Sequence, residues 1–226
     1  MFVKFPHTPH LAWLAAGQPR GDKVLSPEAA AQFLDGDLVV EEKVDGANLG
    51  FSMLHGRVVA QSRGEYVRRP AHPQFGPLWS WLARQQAAML ESLGENLVLF
   101  GEWCYAVHSV HYAALPDWFV GFDVYDRRVR RFWSAARRNE LLQRIGLFSV
   151  PELGRGRYRI RDLKLLLSAG TSRFGGLIEG LYLRQENDGW LGHRAKLVRA
   201  EFLQSINEHW SSRPIERNHV RSHASP

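Results

Sequence analysis

"VVEEKVDGANLGFS", residues 39–52, ends an apolar strand on a lysine crowded by acids, then adds an Asp-Gly turn and a second apolar run. Two readings are open for Lys43: a surface charge at a strand end, or a buried amine kept as a nucleophile. The tetrapeptide K-x-D-G does not decide between them. Asp-Gly after a strand is a routine turn, and lysines flank strands in many proteins.

The segment "DLVVEEK" (37–43) reads as a strand. The turn "DGAN" (45–48), the strand "LGFSML" (49–54), the tight turn "HG" and the strand "RVVAQS" (57–62) then complete an expected antiparallel meander. "GPLWSWLARQQAAMLESLG" (76–94) changes to helical spacing, with Leu78, Leu82, Met89 and Leu93 on one stripe and Gly94 as a stop. Strands are expected in "NLVLFGEWCY" (96–105) and "WFVGFDVYD" (118–126). Ser134 is placed to cap a helix that ends at Gly146. A short helix near "RDLKLLLSAG" precedes a hairpin, "GLIEGLYLRQ" and "WLGHRAKLV" around the turn "ENDG", and a last helix, "RAEFLQSINEHW". Hairpins mixed with isolated helices predict an α+β fold, mainly antiparallel sheets with flanking helices, over residues 1–210. The tail 211–226 is polar and rich in His and Pro, and is expected to be flexible.

The chain has 226 residues, of which 45% are hydrophobic, enough for one large core or two small ones. No stretch approaches a membrane span, and prolines and histidines interrupt the N-terminus where a signal peptide needs an apolar run; a soluble, cytoplasmic protein is expected. One cysteine, Cys104, excludes an internal disulfide and a Cys-rich zinc site. The net charge of +6 comes largely from the arginines of "DRRVRRF", "AARRNE" and "GRGRYRIRD", which suit a polyanionic partner or form a solvated basic face.

The companions of Lys43 carry more information. "EKVDGAN", "SRGE", "FGEW", "FVGFDVYD", "EGLYLR" and "RAKLVRAEF" follow one another in that order over residues 43 to 203. In this the chain resembles the ATP-dependent RNA ligases of the covalent nucleotidyltransferase superfamily. The resemblance implies an ATP-grasp-like ligase adenylation domain. Only about one helix and a tail follow Lys196, so no OB fold is expected.

It further implies ATP and Mg²⁺ or Mn²⁺ as cofactors, and RNA with 5′-phosphate and 3′-hydroxyl ends as substrate. Lys43 is then the nucleophile that takes AMP, with Asp45, Glu179 and Lys196 completing the catalytic set. Glu42, Asn48, Arg63, Glu102, Phe122 and Arg194 join Lys43, Glu179 and Lys196 around the nucleotide, and Asp45, Glu102 and Glu179 hold the metal through water. The family has two lysines in the closing motif, and Arg194 replaces the first, leaving its role open because a guanidinium is a different shape of donor.

The residue types make chemical sense. A free lysine amine has a pKa of about 10.4 and does not attack phosphorus until it sheds its proton. Glu41, Glu42 and Asp45 alone would raise that pKa, so a bridging cation is needed to reverse the field. Gly46 allows a positive φ and a close backbone approach just after Lys43. Asn48 is either a phosphate-orienting residue or an ordinary turn asparagine. Glu102 and Glu179 are lone acids in apolar strand runs, which is costly without partners. Phe122, or alternatively Phe119, offers a face for adenine stacking. Asp123 and Asp126 are read as structural. "KFPHTPHL" (4–11) lines the pocket or clamps the sheet, and His7 and His10 lack a third zinc ligand. Three alternatives stay open: a DNA-nick ligase, a GTP-using capping-type transferase, and a binding module that grips RNA ends without chemistry. With no OB fold, RNA contacts fall to the arginine clusters, an accessory partner or an oligomer.

Overall fold

The computed structural model describes residues 2–17, 19, 23–204 and 215–221. Along the chain run α1 (Pro27–Leu34), β1 (Leu38–Lys43), β2 (Ala47–Leu54), β3 (Arg57–Gln61), α2 (Leu78–Leu93), β4 (Leu97–Trp103) and β5 (Phe119–Asp126). Then come β6 (Arg131–Phe132), α3 (Ala135–Ile145), β7 (Phe148–Ser149), β8 (Glu152–Gly156), α4 (Ile160–Ala169), β9 (Gly180–Asn187), β10 (Trp190–Val198) and α5 (Ala200–Gln204). The remainder of the expected last helix, after Gln204, lies outside the described residues.

Two sheets form: β10-β9-β1-β8, and β3-β2-β4-β5-β6 with β7 alongside β5. All pairings are antiparallel except β5 with β7. The architecture is α+β as expected, and neither sheet closes into a barrel among the described residues.

The meander does not form as read. β2 and β3 make the hairpin, turning on His55 and Gly56 with φ of 49° and 73°, the positive pair a tight two-residue turn needs. β1, however, belongs to the other sheet, between β8 and β9. The Asp-Gly segment is a crossing from sheet to sheet. Gly46 does not take the positive φ that glycine allows, but the close approach expected of it is found. What requires glycine there is close approach: a Cβ would lie 2.8 Å from the Trp103 carbonyl oxygen and 3.2 Å from Cys104 Sγ.

Helices cover the two outer faces. α2 and α3 lie on the second sheet, where Trp81, Leu82, Met89, Leu141 and Leu142 pack with Phe51, Trp103 and Phe119. Their ends follow the sequence signals: Ser134 accepts from Arg137 N, and Gly146 takes a left-handed φ of 80°. α1 and α4 cover the first sheet through Phe33, Leu163 and Leu167 against Leu38, Val40, Leu181 and Leu183. A third cluster joins Phe5, Val44, Phe100, Tyr112, Val120 and Phe122.

Buried ion pairs tie the sheets together. Arg138 of α3 grips Glu41 of β1 with two bonds of 2.5 and 3.1 Å. Asp123 of β5 pairs with Arg184 of β9 at 2.5 Å and with Arg194 of β10 at 2.8 Å. Burial opposes the Asp123 charge, but Arg184 and Arg194 outweigh it and hold the carboxyl below its ordinary range.

The tail differs from expectation where it is described. Residues 215–221 are docked, with bridges from Ala106 to Arg217 and from Leu115 to Val220, and Asn218 is 2% exposed. No helix among the described residues is long and apolar enough to cross a membrane.

Candidate active site

The crossing after β1 puts Lys43 where the two sheets meet. Its backbone pairs with Gly180 at the start of β9, which brings Glu179 beside it. Lys43 Nζ donates to Glu179 Oε2 at 2.6 Å. Glu179 therefore stands just ahead of its strand, not inside it as the apolar run suggested. The Lys43 side chain is 27% exposed, open on one side toward the pocket.

That pocket is lined by Phe5, His7, Thr8, Glu42, Lys43, Asn48, Arg63, Glu102, Phe122, Tyr182 and Lys196, with Val44 and Val150. Cross-strand pairing explains much of the convergence. Asn48 of β2 lies opposite Glu102 of β4, and Lys196 of β10 lies opposite Tyr182 of β9, so each pair shares a sheet face. Arg63 follows β3 at an exposed position and acts electrostatically on Glu102.

Phe122 reaches the pocket through a β-bulge. Phe100 pairs with Asp123 and Gly101 with Gly121, so Phe122 is the extra residue in β5, re-aimed by the bulge. Phe119, the alternative, is fully buried against Phe51 and Trp81. The N-terminal segment both clamps the sheet and lines the pocket. Lys196 N donates to Pro9 O and Leu11 N to Lys196 O, while Phe5 packs edge-on to Phe122 at 5.1 Å.

Three residues singled out in the sequence are placed differently from their companions. Arg194 does not line the pocket: Asp123 Oδ2 and Tyr182 Oη hold it, and it stacks over Phe132 at 3.9 Å. Glu41 faces Arg138, not Lys43; the acids acting on Lys43 are Glu179, Glu102 and Asp45. Asp45 Oδ2 accepts from the backbone N–H groups of Ser109 and Val110 at 2.6 and 3.0 Å, so it also holds a loop.

The site is electrostatically frustrated. Burial alone would lower the Lys43 pKa, but Glu179, Glu102 and Asp45 raise it above the ordinary lysine value. Burial pushes Glu102 up to about 8 and Glu179 up to about 7, against the pull of Lys43. Glu42 is raised by burial too, partly offset by hydrogen bonds from Ser172 and Arg173.

Glu42 Oε1, Asn48 Oδ1 and Glu102 Oε2 are buried without a hydrogen-bond partner. Such atoms are rare in folded proteins and call for a ligand or water. Ribose hydroxyls, which donate, match them. Among the described residues no group of three or more His, Cys, Asp or Glu side chains is arranged to hold a metal ion directly. The hard oxygen donors of Asp45, Glu102 and Glu179 suit a hydrated cation such as Mg²⁺.

Sequence reasoning missed Tyr112, whose hydroxyl accepts from Asp45 N at 2.8 Å, because residues 104–118 carry no periodic pattern. It missed Tyr182 although "EGLYLR" was in view; its parity with Arg184 along one strand was the available signal.

Comparison with known proteins bears on the family and the fold. Residues 36–198 match the RNA ligase family model, and no curated protein matches. Solved structures of Naegleria gruberi RNA ligase share the fold. A mutant with ATP and Mn aligns over 79% of this chain at TM-score 0.57 and 18% identity. The ligase with PPi and another mutant with AMP and Mn each align over 90% at TM-score 0.59 and 18% identity. The chain spans 54% of the first of these structures and 64% of the other two. With the family model covering its two sheets and every residue around Lys43 from Glu42 to Lys196, the chain belongs to the RNA ligase family.

Proposed function

We propose that the protein is an ATP-dependent RNA ligase that joins 5′-phosphate to 3′-hydroxyl RNA ends, carrying AMP on Lys43. The observation that carries the reading is the lysine itself: an amine at the meeting of two sheets, fixed by Glu179 and surrounded by partnerless buried oxygens.

Three displacements at phosphorus account for the reaction. Lys43 Nζ attacks the α-phosphorus of ATP, forming a P–N bond as the bond to pyrophosphate breaks. An oxygen of the RNA 5′-phosphate then attacks the same phosphorus, and the lysine nitrogen leaves. Finally the 3′-hydroxyl oxygen attacks the 5′-phosphorus, and AMP departs with the bonding electrons.

Each residue has a task in the first step. Phe122 offers its ring to adenine, and Glu102 and Asn48 accept from ribose hydroxyls. Lys196 and Arg63 offset the charge that builds on the departing phosphates. Glu179 Oε2 holds the proton of Nζ and keeps the amine aimed into the pocket. Asp45, Glu102 and Glu179 would hold a divalent cation, which when bound would supply the positive charge that favours the neutral form of the Lys43 amine. The solved relatives with ATP and Mn and with AMP and Mn support this choice of ligands.

The test is ligation of a 5′-phosphorylated RNA strand bearing a 3′-hydroxyl, with ATP and Mg²⁺ or Mn²⁺. A joined strand is expected, with none from a 5′-hydroxyl strand or with GTP. Tight binding of the ends with no joined product would overturn the reading in favour of a binding module.

A further inference from the structure

Residues 215–221 make a set of contacts that the ligation chemistry does not use. They lie along the loop between β4 and β5, away from the pocket lining. Val107 N donates to Glu216 O, Asn218 N to Tyr105 O, His219 N to Tyr112 O, Leu115 N to His219 O, and Arg221 N to Leu115 O. The Asn218 side chain sits at the centre, buried. Its Oδ1 accepts from Tyr112 N at 2.7 Å, and its Nδ2 donates to the carbonyls of Cys104 and Ala106 at 2.8 and 3.2 Å.

Two routes run from this segment to the nucleophile. Tyr112, held at its backbone by Asn218 and His219, turns its hydroxyl to the backbone N–H of Asp45. Asp45 in turn ties down Ser109 and Val110 of the same loop. Cys104, held at its carbonyl by Asn218, lies with its sulfur against Gly46, where even a Cβ would not fit. Tyr112, Cys104, Val110 and Val44 pack in one apolar cluster, and Val220 packs against it. Asp45 and Gly46 are the second and third residues after Lys43, so whatever fixes this loop fixes the turn that aims the amine.

We propose that residues 215–221 are a strap that positions Lys43, with Asn218 as the positioning residue acting through Tyr112 and Asp45. The claim that the strap serves AMP transfer rests on the ligase reading above; the claim that it holds the turn does not. Asn218 is buried and is not among the residues lining the pocket. Its amide satisfies one N–H and two carbonyls that would otherwise be buried and unpaired, which makes the loop one discrete conformation. Nucleophilic attack needs the amine in line with the leaving group, and small displacements are costly in rate.

The experiment uses the full chain with Asn218→Ala and, separately, Tyr112→Phe, which removes one hydroxyl oxygen and guards against loss of folding. Hydrogen–deuterium exchange is followed over residues 42–48 and 104–115, and the rate of label transfer from α-labelled ATP to the chain is measured at saturating ATP with Mg²⁺. The strap predicts faster exchange in both segments for Asn218→Ala. It also predicts a label-transfer rate about tenfold lower for each variant, with half-saturating ATP within about twofold of the parent. The double variant loses less than the product of the two, since both act along one route. Exchange that rises only over 104–115 in Asn218→Ala, or unchanged label transfer in both variants, overturns the proposal. If the parent chain takes no label, the ligase reading fails by itself, and exchange over 42–48 still decides whether the strap holds the turn.

Discussion

At the scale of single residues the site is a cation among acids that hold it too tightly. Two of those acids are displaced from their ordinary pKa by burial, and this leads to a stability prediction for the protein without metal. Glu102, at about 8, binds a proton in the folded chain that the unfolded chain releases near 4.5. Stability from this group is full below about 4.5 and falls as pH rises toward 8. Glu102→Gln removes the titration. In chelator, thermal melts of the variant should lose less stability between pH 5 and pH 8 than those of the parent chain; parallel curves would mean that Glu102 is not held protonated. At Phe122, substitution by Ala removes the ring that faces the pocket and should raise half-saturating ATP roughly tenfold, the order of one aromatic contact. An unchanged value, read from label transfer against ATP concentration, would move the adenine elsewhere. Lys43, Glu102 and Glu179 stood out in the sequence because each breaks a local rule by putting a charge in an apolar run, although Glu179 falls just ahead of β9. Arg194 breaks the same rule for another reason, since its partner Asp123 lies on a different sheet and no local pattern reveals it.

At the scale of elements, the strands and helices were readable and their partners were not. β2 and β3 are joined by a turn whose two residues specify it, so that hairpin was visible locally. β1 pairs with β8 and β9, more than a hundred residues away. Its buried acids were the available clue: a strand with Glu41 and Glu42 both inside needs cations from other elements, which an edge of a meander does not supply. The bulge that aims Phe122 is set by the pairing of β4 with β5, and period-two reasoning cannot see it. Glu41→Ala takes from Arg138 its carboxylate partner in the core between α3 and β1, leaving it the Phe122 carbonyl and Asn139 Oδ1. It should cost about 3–5 kcal/mol in denaturant unfolding. A loss below about 1 kcal/mol would mean the pair does not bind the sheets together.

At the scale of the whole molecule, most but not all arginines of the basic runs reach the surface. Of the arginines in "AARRNE", Arg138 is buried on Glu41 and Arg137 is sandwiched between Trp133 and Trp190. Arg128, Arg130 and Arg131 are exposed, as are Arg155, Arg157, Arg159 and Arg161 of "GRGRYRIRD". If exposed arginines carry the RNA, replacing Arg128 and Arg130 with Ala should weaken binding and lower the slope of log affinity against log salt by roughly one for each phosphate no longer neutralised. Filter binding across a salt series measures it, and an unchanged slope would place the RNA on another face. The docked part of the tail was invisible for a related reason. "IERNHV" is polar, and only the unpaired backbone of a distant loop turns Asn218 into a core residue.

All three scales converge on whether Lys43 accepts a nucleotide. The direct measurement is to incubate the protein with ATP labelled at the α-phosphate and with Mg²⁺ or Mn²⁺, denature it, and follow the label, with Lys43→Ala alongside. Label on the parent chain is expected, lost in Lys43→Ala and chased onto a 5′-phosphorylated RNA strand. Label that persists in Lys43→Ala, or a parent chain that never takes it, would contradict the assignment of Lys43 as the AMP carrier.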